Sequence, residues 1–346
     1  MADITAKAFI CGCAGPVLSR DEIGFLRRER PFGLILFQRN CREPEEIRTL
    51  VATCRDAVER IDAPDLIDQE GGRVQRLKPP HWPAYPAAAV IAALHTADPA
   101  AGLRAAWLHG RLIAADLSDL GIDVDCAPVL DVSIAGTSPA IGNRSFGGDP
   151  LRVAALGRAL ADGLMDGGVL PVMKHLPGQG RATSDSHIGL PEVREDVVAL
   201  AGSDFAPFAA LADLPMAMTA HIVYSAIDPR RPATVSPVVI RDIIRGRIGF
   251  DGLLLSDDVS MHALSGDYGD RTAAIHDAGC DIVLHCNGRA EEMLAVADAA
   301  PELAGLSGER AVRALRARRK PEPFDRLAAR AEYRGLLAPF VAPVVS

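Results

Sequence analysis

Residues 169–190 read VLPVMKHLPGQGRATSDSHIGL, and they hold the pattern from which the rest of the chain is legible. Val169–Met173 is an apolar run of strand length that ends abruptly in Lys174 and His175. A strand apolar at every position is one covered on both faces, as in a parallel sheet sheathed by helices. This one delivers a cation and an imidazole at its end. It then opens into a loop with Pro177, Gly178 and Gly180, followed by Asp185-Ser186-His187. Loops held by a rigid scaffold collect catalytic groups, and long loops without periodicity of their own are usually functional.

The same grammar recurs in both directions. Short apolar runs stand at Ala8–Gly12, Gly33–Phe37, Pro64–Ile67, Ile122–Cys126, Leu170–Met173, Pro215–Thr219, Gly252–Leu255 and Asp281–Leu284. Helical patterns lie between them. They are Glu43–Arg60, Ala100–Leu120 closed by Gly121, Pro150–Asp166 stopped by Gly167-Gly168, Asp196–Leu211, Ser236–Arg247 with Ser236 as N-cap, and Arg271–Ala278. Two or three further helical patterns finish the chain. Alternation of strand and helix argues a parallel sheet. Eight units in roughly 300 residues argue an α/β fold closed as a (β/α)8 barrel. No linker or composition break interrupts it, so residues 1–346 are expected to form a single domain.

Bulk composition narrows the function classes. Among 346 residues, 49% are hydrophobic but only 5% aromatic, so the core is expected to be aliphatic. The net charge of −8 and the absence of a basic stripe argue against a nucleic-acid partner. No apolar run is long enough to span a membrane, and MADITAKAF lacks a signal-peptide pattern. The seven cysteines are odd in number and scattered, which fits a reduced, cytoplasmic protein better than a disulfide framework. Cys11-x-Cys13 is a weak alternative as a metal site, and neither H-x-H nor H-E-x-x-H spacing occurs, so no metal or other cofactor is expected.

The residues that close each run carry the chemistry. Asp68, Asp131, Lys174, His175, His221, Asp257 and Asn287 stand at or just past the ends of apolar runs. In a barrel those ends share one rim, where active sites sit. Asp257, after Leu253-Leu254-Leu255-Ser256, is a carboxylate against a buried strand end and suits a nucleophile that forms a covalent ester. Asp258 is its neighbouring rival, with capping of the next segment as the simpler role. Asp185 and His187 are close enough for the carboxylate to orient the imidazole as a proton shuttle. Lys174, Arg76, Arg144 and Asp68 have the chemistry of clamps for sugar hydroxyls, although each arginine taken alone reads as a structural ion pair.

Taken together, several stretches resemble glycoside hydrolase family 3, in particular its single-domain bacterial β-N-acetylhexosaminidases of peptidoglycan recycling. They are Gly33–Phe37, Ile67–Arg76 (IDQEGGRVQR), Ala127–Val132 (APVLDV), Ile141–Phe146 (IGNRSF), Lys174–Gly178 (KHLPG), Asp185-Ser186-His187 and Ser256–Met261 (SDDVSM). The resemblance implies a barrel without a second α/β domain. It implies Asp257 as nucleophile, His187 as general acid/base with Asp185 as its partner, and Asp68, Arg76, Arg144, Lys174 and His175 around the sugar. Gln179 departs from the family, where a His is common at that place.

The function so implied is a retaining exo-β-N-acetylglucosaminidase. It would release terminal GlcNAc from anhydro-muropeptides in the cytoplasm, as a monomer. The rival readings are a Schiff-base aldolase using Lys174, a non-catalytic sugar-binding barrel, and a phosphorylase in which phosphate replaces water.

Overall fold

The computed structural model describes residues 4–134, 136–182 and 190–341. Eight strands close into a barrel: β1 Lys7–Cys11, β2 Pro31–Leu36, β3 Asp65–Ile67, β4 Val124–Asp125, β5 Leu170–Leu176, β6 Met216–Thr219, β7 Leu253–Asp258 and β8 Ile282–His285. They follow one another around the ring in chain order, and β8 returns to pair with β1. Every neighbouring pair is parallel. Each expected apolar run supplies one of these strands, and the (β/α)8 barrel read from the sequence is the fold observed.

Alternation along the strands sorts the core into two shells. Ala8, Ile10, Leu66, Val124, Leu170, Val172, Met216, Met218, Leu253, Leu255, Ile282 and Leu284 form one cluster, which fills the barrel. Phe9, Cys11, Ile67, Met173, Ala217, Leu254 and Val283 belong to the other, which joins the strands to the surrounding helices. Two residues beyond Leu66, Val172 and Leu255 stand Asp68, Lys174 and Asp257. The period that buries the leucines thus turns these three charged side chains toward the barrel axis at its C-terminal mouth. At the opposite end the helix Gly305–Arg316 places Ala311 and Ala314 against the interior cluster.

The helices differ from expectation in detail. The segment expected as one helix, Asp196–Leu211, is two short ones, Val197–Gly202 and Ala206–Ala210. The break falls where the Ser203 hydroxyl donates back to the Ala199 carbonyl (2.8 Å) and Pro207 lacks an N–H. Ser236 accepts from the Val239 N–H (3.2 Å) as the expected cap, but Val239–Arg247 winds wide, with Ile248 N–H reaching the Ile243 carbonyl at 2.8 Å. Two helices were not anticipated: Arg20–Glu29, although Ser19 and Glu22 form a capping box at its start, and Ala88–Ala97.

The helices Pro99–Ser118 and Pro150–Asp166 cross at glycines. A Cβ on Gly163 would stand 2.2 Å from the Trp107 carbonyl oxygen, and one on Gly110 would stand 2.2 Å from that of Leu160. Backbone cannot yield as a side chain does. Gly163→Ala is therefore expected to destabilise the fold by about 1–3 kcal/mol, read as a lower midpoint in chemical denaturation.

Candidate active site

A cavity of about 250 Å3 opens at the C-terminal mouth. Six of the eight strands contribute to its wall, through Phe37, Asp68, Lys174, Met218, Asp257 and Cys286. Arg76, Arg144 and His175 line it as well, so every described residue expected around the sugar borders one space with Asp257.

The Asp68 side of the cavity is made by a short hairpin, Gln69–Gly71 against Val74–Gln75. Gly71 and Gly72 turn it with φ of 99° and 59°, a conformation that excludes most side chains. The Gln69 side-chain oxygen then accepts from the N–H groups of Arg76 (2.9 Å) and Leu77 (3.1 Å). This return brings the Arg76 guanidinium to Asp68 at 3.0 Å. The Gly-Gly pair is thus what places Arg76 beside a carboxylate eight residues earlier.

Lys174 is buried and lies 2.7 Å from both Asp68 and Glu70. Glu70 also grips Arg144 through two parallel hydrogen bonds, at 2.8 and 2.7 Å. The Arg144 guanidinium reaches the cavity from the single turn Gly142–Arg144, where Gly142 has φ 44°. The sequence offered the arginines either as structural ion pairs or as clamps. Here Arg76 and Arg144 are ion-paired and line the cavity at once. Glu70 was passed over, and its only sequence signal is its place between Asp68 and the paired glycines.

These charges hold one another in their ionised forms. Burial alone would raise the Asp68 and Glu70 carboxyls, but the neighbouring cations outweigh it. Lys174 and Arg76 draw Asp68 well below the usual range, and Arg144 with Lys174 lower Glu70 to about 2. Burial would lower the Lys174 ammonium, yet Asp68 and Glu70 hold it above its ordinary value. A Schiff base needs a neutral amine, so this setting disfavours the aldolase reading. Asp125, at the end of β4, behaves oppositely. Burial pushes it up to about 7 against the Gln69 N–H at 2.9 Å and the charge of Lys174, and its other oxygen has no hydrogen-bond partner among the described residues.

His175 meets the buried Asp131 through Nδ1 at 2.7 Å. The two rival aspartates separate cleanly. Asp258 accepts from the Ser260 N–H (3.0 Å), the Ser260 hydroxyl (2.6 Å) and the Cys286 N–H (3.2 Å), so its carboxylate holds a turn. Asp257 accepts from the Asp258 N–H (2.8 Å) and lines the cavity. Its second oxygen has no donor among the described residues.

Three rim residues read from the sequence do not join the wall: Asp131, which stands behind His175, and His221 and Asn287. His221 is buried, with its ring nitrogens on the Thr234 hydroxyl (2.8 Å) and the Asp258 carbonyl (3.0 Å). Asn287 donates to Glu292 instead. Asp185 and His187 lie outside the described residues. The cysteines are all buried free thiols, and no cluster of three or more metal-ligating side chains occurs among the described residues.

Comparison with known proteins identifies relatives of the chain as a whole. The family model described as "Glycosyl hydrolase family 3 N terminal domain" matches residues 19–315. A protein of Methylococcus capsulatus named Beta-hexosaminidase is 43% identical over 277 residues, covering 79% of this chain and 80% of its own length. Another of that name, from Aromatoleum aromaticum, is 38% identical over 90% of this chain and 88% of its own. The crystal structure of NagZ from Neisseria gonorrhoeae with N-trifluoroacetyl-D-glucosamine superposes with a TM-score of 0.82 at 31% identity, covering 98% of each chain.

The ion cluster makes two predictions. Glu70→Ala leaves Arg144 without its carboxylate partner and removes one of two from Lys174. Breaking buried pairs this way is expected to cost about 3–5 kcal/mol, measurable by denaturant titration.

The second concerns pH. Glu70, lowered from 4.5 to about 2, contributes stability that is present above 4.5 and lost as pH falls through 2. Asp125, raised from 3.8 to about 7, has the opposite sign, and its contribution is lost as pH rises across that window. Asp125→Asn should therefore reduce the decline in stability between pH 4 and 7, to which other buried carboxyls such as Asp65 also contribute, while leaving the acid limb, as read from denaturation midpoints across pH.

Proposed function

The chain belongs to glycosyl hydrolase family 3 and is a glycoside hydrolase, and from that premise we propose that it is a retaining exo-β-N-acetylglucosaminidase acting on GlcNAc-containing muropeptides in cell-wall recycling. The observation that carries the reading is a single cavity in which Asp257 shares a wall with the Asp68–Lys174 pair. The relatives named Beta-hexosaminidase and the sugar-bound NagZ structure support the same class of substrate.

In this reading Asp68, Arg76, Arg144, Lys174 and His175 bind the ring hydroxyls of the terminal sugar. Ionised donors and acceptors make stronger hydrogen bonds than neutral ones, and here they are already mutually placed. The ring lies with its anomeric carbon toward Asp257. One Asp257 oxygen attacks that carbon as the glycosidic bond breaks, and the departing oxygen takes a proton from His187, oriented by Asp185. The product is a glycosyl ester with inverted configuration. Water then gives its proton to His187 and attacks the same carbon. Asp257 leaves as a carboxylate, and the second inversion restores the β configuration. His187 fills the role that a second carboxyl group has in most glycosidases. These side chains and water balance every step.

Acting on recycled muropeptides, the enzyme would work in the cytoplasm. No helix among the described residues is long and apolar enough to cross a membrane. The enzyme is proposed to act as a monomer, a reading supported by one chain bringing Asp257 and the proposed sugar-binding side chains to a single cavity.

The reading is tested with a 2-acetamido-5-fluoro glycosyl fluoride, which slows hydrolysis of the ester more than its formation. Mass spectrometry of the digested protein should find the sugar on the peptide containing Asp257. Asp257→Ala and His187→Ala should each lower turnover of an aryl β-N-acetylglucosaminide by roughly 100-fold or more. Wild-type turnover in either variant, or a label elsewhere, would refute the assignment.

A further inference from the structure

Asp131 touches none of the cavity directly, yet three parts of the site converge on it. It is wholly buried, just past β4, where Leu130 N–H donates to the Lys174 carbonyl (2.8 Å) and Lys174 N–H to the Pro128 carbonyl (3.0 Å). This lateral pairing sets its carboxylate against the turn that leaves β5. Oδ2 accepts from His175 Nδ1 at 2.7 Å. Oδ1 accepts from the backbone N–H groups of His175 (3.3 Å) and Gln179 (2.6 Å). The Asp131 carbonyl accepts from the Ser145 hydroxyl (2.6 Å), next to Arg144.

We propose that Asp131 is a positioning residue for the reaction, fixing the His175 imidazole toward the sugar and fixing Gln179 at the head of the segment that runs on to Asp185 and His187. The inference rests on the acid/base role assigned above to His187.

A carboxylate only accepts, so the proton of a neutral His175 sits on Nδ1, and Nε2 is a bare acceptor. A sugar hydroxyl can then donate to Nε2. The same carboxylate fixes the first residues beyond the strand, and the fully buried Tyr224 adds a hydrogen bond to the Gly178 carbonyl. A shift of this stem displaces the start of the segment that leads in sequence to Asp185 and His187.

Asp131→Asn separates these effects from folding. The Asn oxygen must stay with the two backbone N–H groups, so its NH2 faces Nδ1 and drives the imidazole proton to Nε2. Imidazole 15N shifts, assigned by their loss in His175→Gln, report the tautomer. The wild-type protein should show the Nδ1–H form and Asp131→Asn the Nε2–H form.

Kinetics on two glycosides report the stem. A phenyl leaving group needs a proton, and 2,4-dinitrophenyl does not. Asp131→Asn should reduce kcat/KM on the phenyl glycoside by roughly tenfold or more beyond its loss on the dinitrophenyl one. An Nε2–H tautomer in the wild-type protein would overturn the proposal, as would equal losses on both substrates. His187→Ala is run beside it. Equal losses in that variant would instead sink the acid/base assignment, and the tautomer measurement alone would then judge Asp131. It also does so if Asp131→Asn fails to fold, since the wild-type tautomer is read without it.

Discussion

A buried ammonium must have partners, and the mouth of this barrel is built around meeting that need for Lys174. Removing an isolated cation from water costs several kcal/mol, which only close carboxylates with good geometry offset. Asp68 and Glu70 do so at 2.7 Å each, and each then holds an arginine of its own. The partners come from different places: the end of β3, the hairpin after it, β5 and the turn at Gly142–Arg144. One electrostatic requirement thereby fixes four segments relative to one another before any ligand arrives. Such a site binds a polyol with little ordering left to do.

The same count explains why the cavity suits an uncharged ring. Lys174, Arg76 and Arg144 carry three positive charges, and Asp68 and Glu70 two negative ones. Asp257, on the same wall, brings the sum of the six to zero. Arg73 and Asp258 also border the cavity and add one charge of each sign, which leaves the sum unchanged. The Asp258 carboxylate holds the turn through Ser260 and the Cys286 N–H. Two adjacent aspartates thus do unrelated work, and the pleat of one strand is what divides them.

Much of this was legible in advance, and the pleat is the reason. Counting by twos from Leu66, Val172 and Leu255 reaches Asp68, Lys174 and Asp257, so strand position alone carries those three inward. His221 was misread as a rim residue because it comes after an apolar run. Counting by twos from Ala217, which faces the helices, reaches His221, so its ring points away from the axis, to Thr234 and the Asp258 carbonyl. Glu70 escaped notice for another reason. It sits in a hairpin whose course depends on the left-handed backbone of Gly71 and Gly72, and its two cations, Arg144 and Lys174, come from segments far along the chain. Partnerships at that separation leave no local mark. The single helix expected over Asp196–Leu211 failed on Ser203 and Pro207, whose competing hydrogen bond and missing donor outweighed an acceptable periodicity.

The barrel's own geometry also bears on where the proton donor comes from. In barrels of this kind the four side chains of one interior layer come from alternate strands. Asp68, Lys174 and Asp257 belong to β3, β5 and β7. The corresponding place after β1 is Gly12, where a Cβ would stand 2.5 Å from the Cys286 carbonyl oxygen. The layer is therefore full, and under the proposed function two places grip the sugar, one attacks and one is closed by backbone. In a retaining displacement the attacking carboxylate and the proton donor stand on opposite faces of the ring. In the proposed reading the donor comes instead from the stretch of sequence that leaves β5 and carries Asp185 and His187. On that reading the strand-end layer binds and attacks, and proton transfer falls to the segment that follows β5.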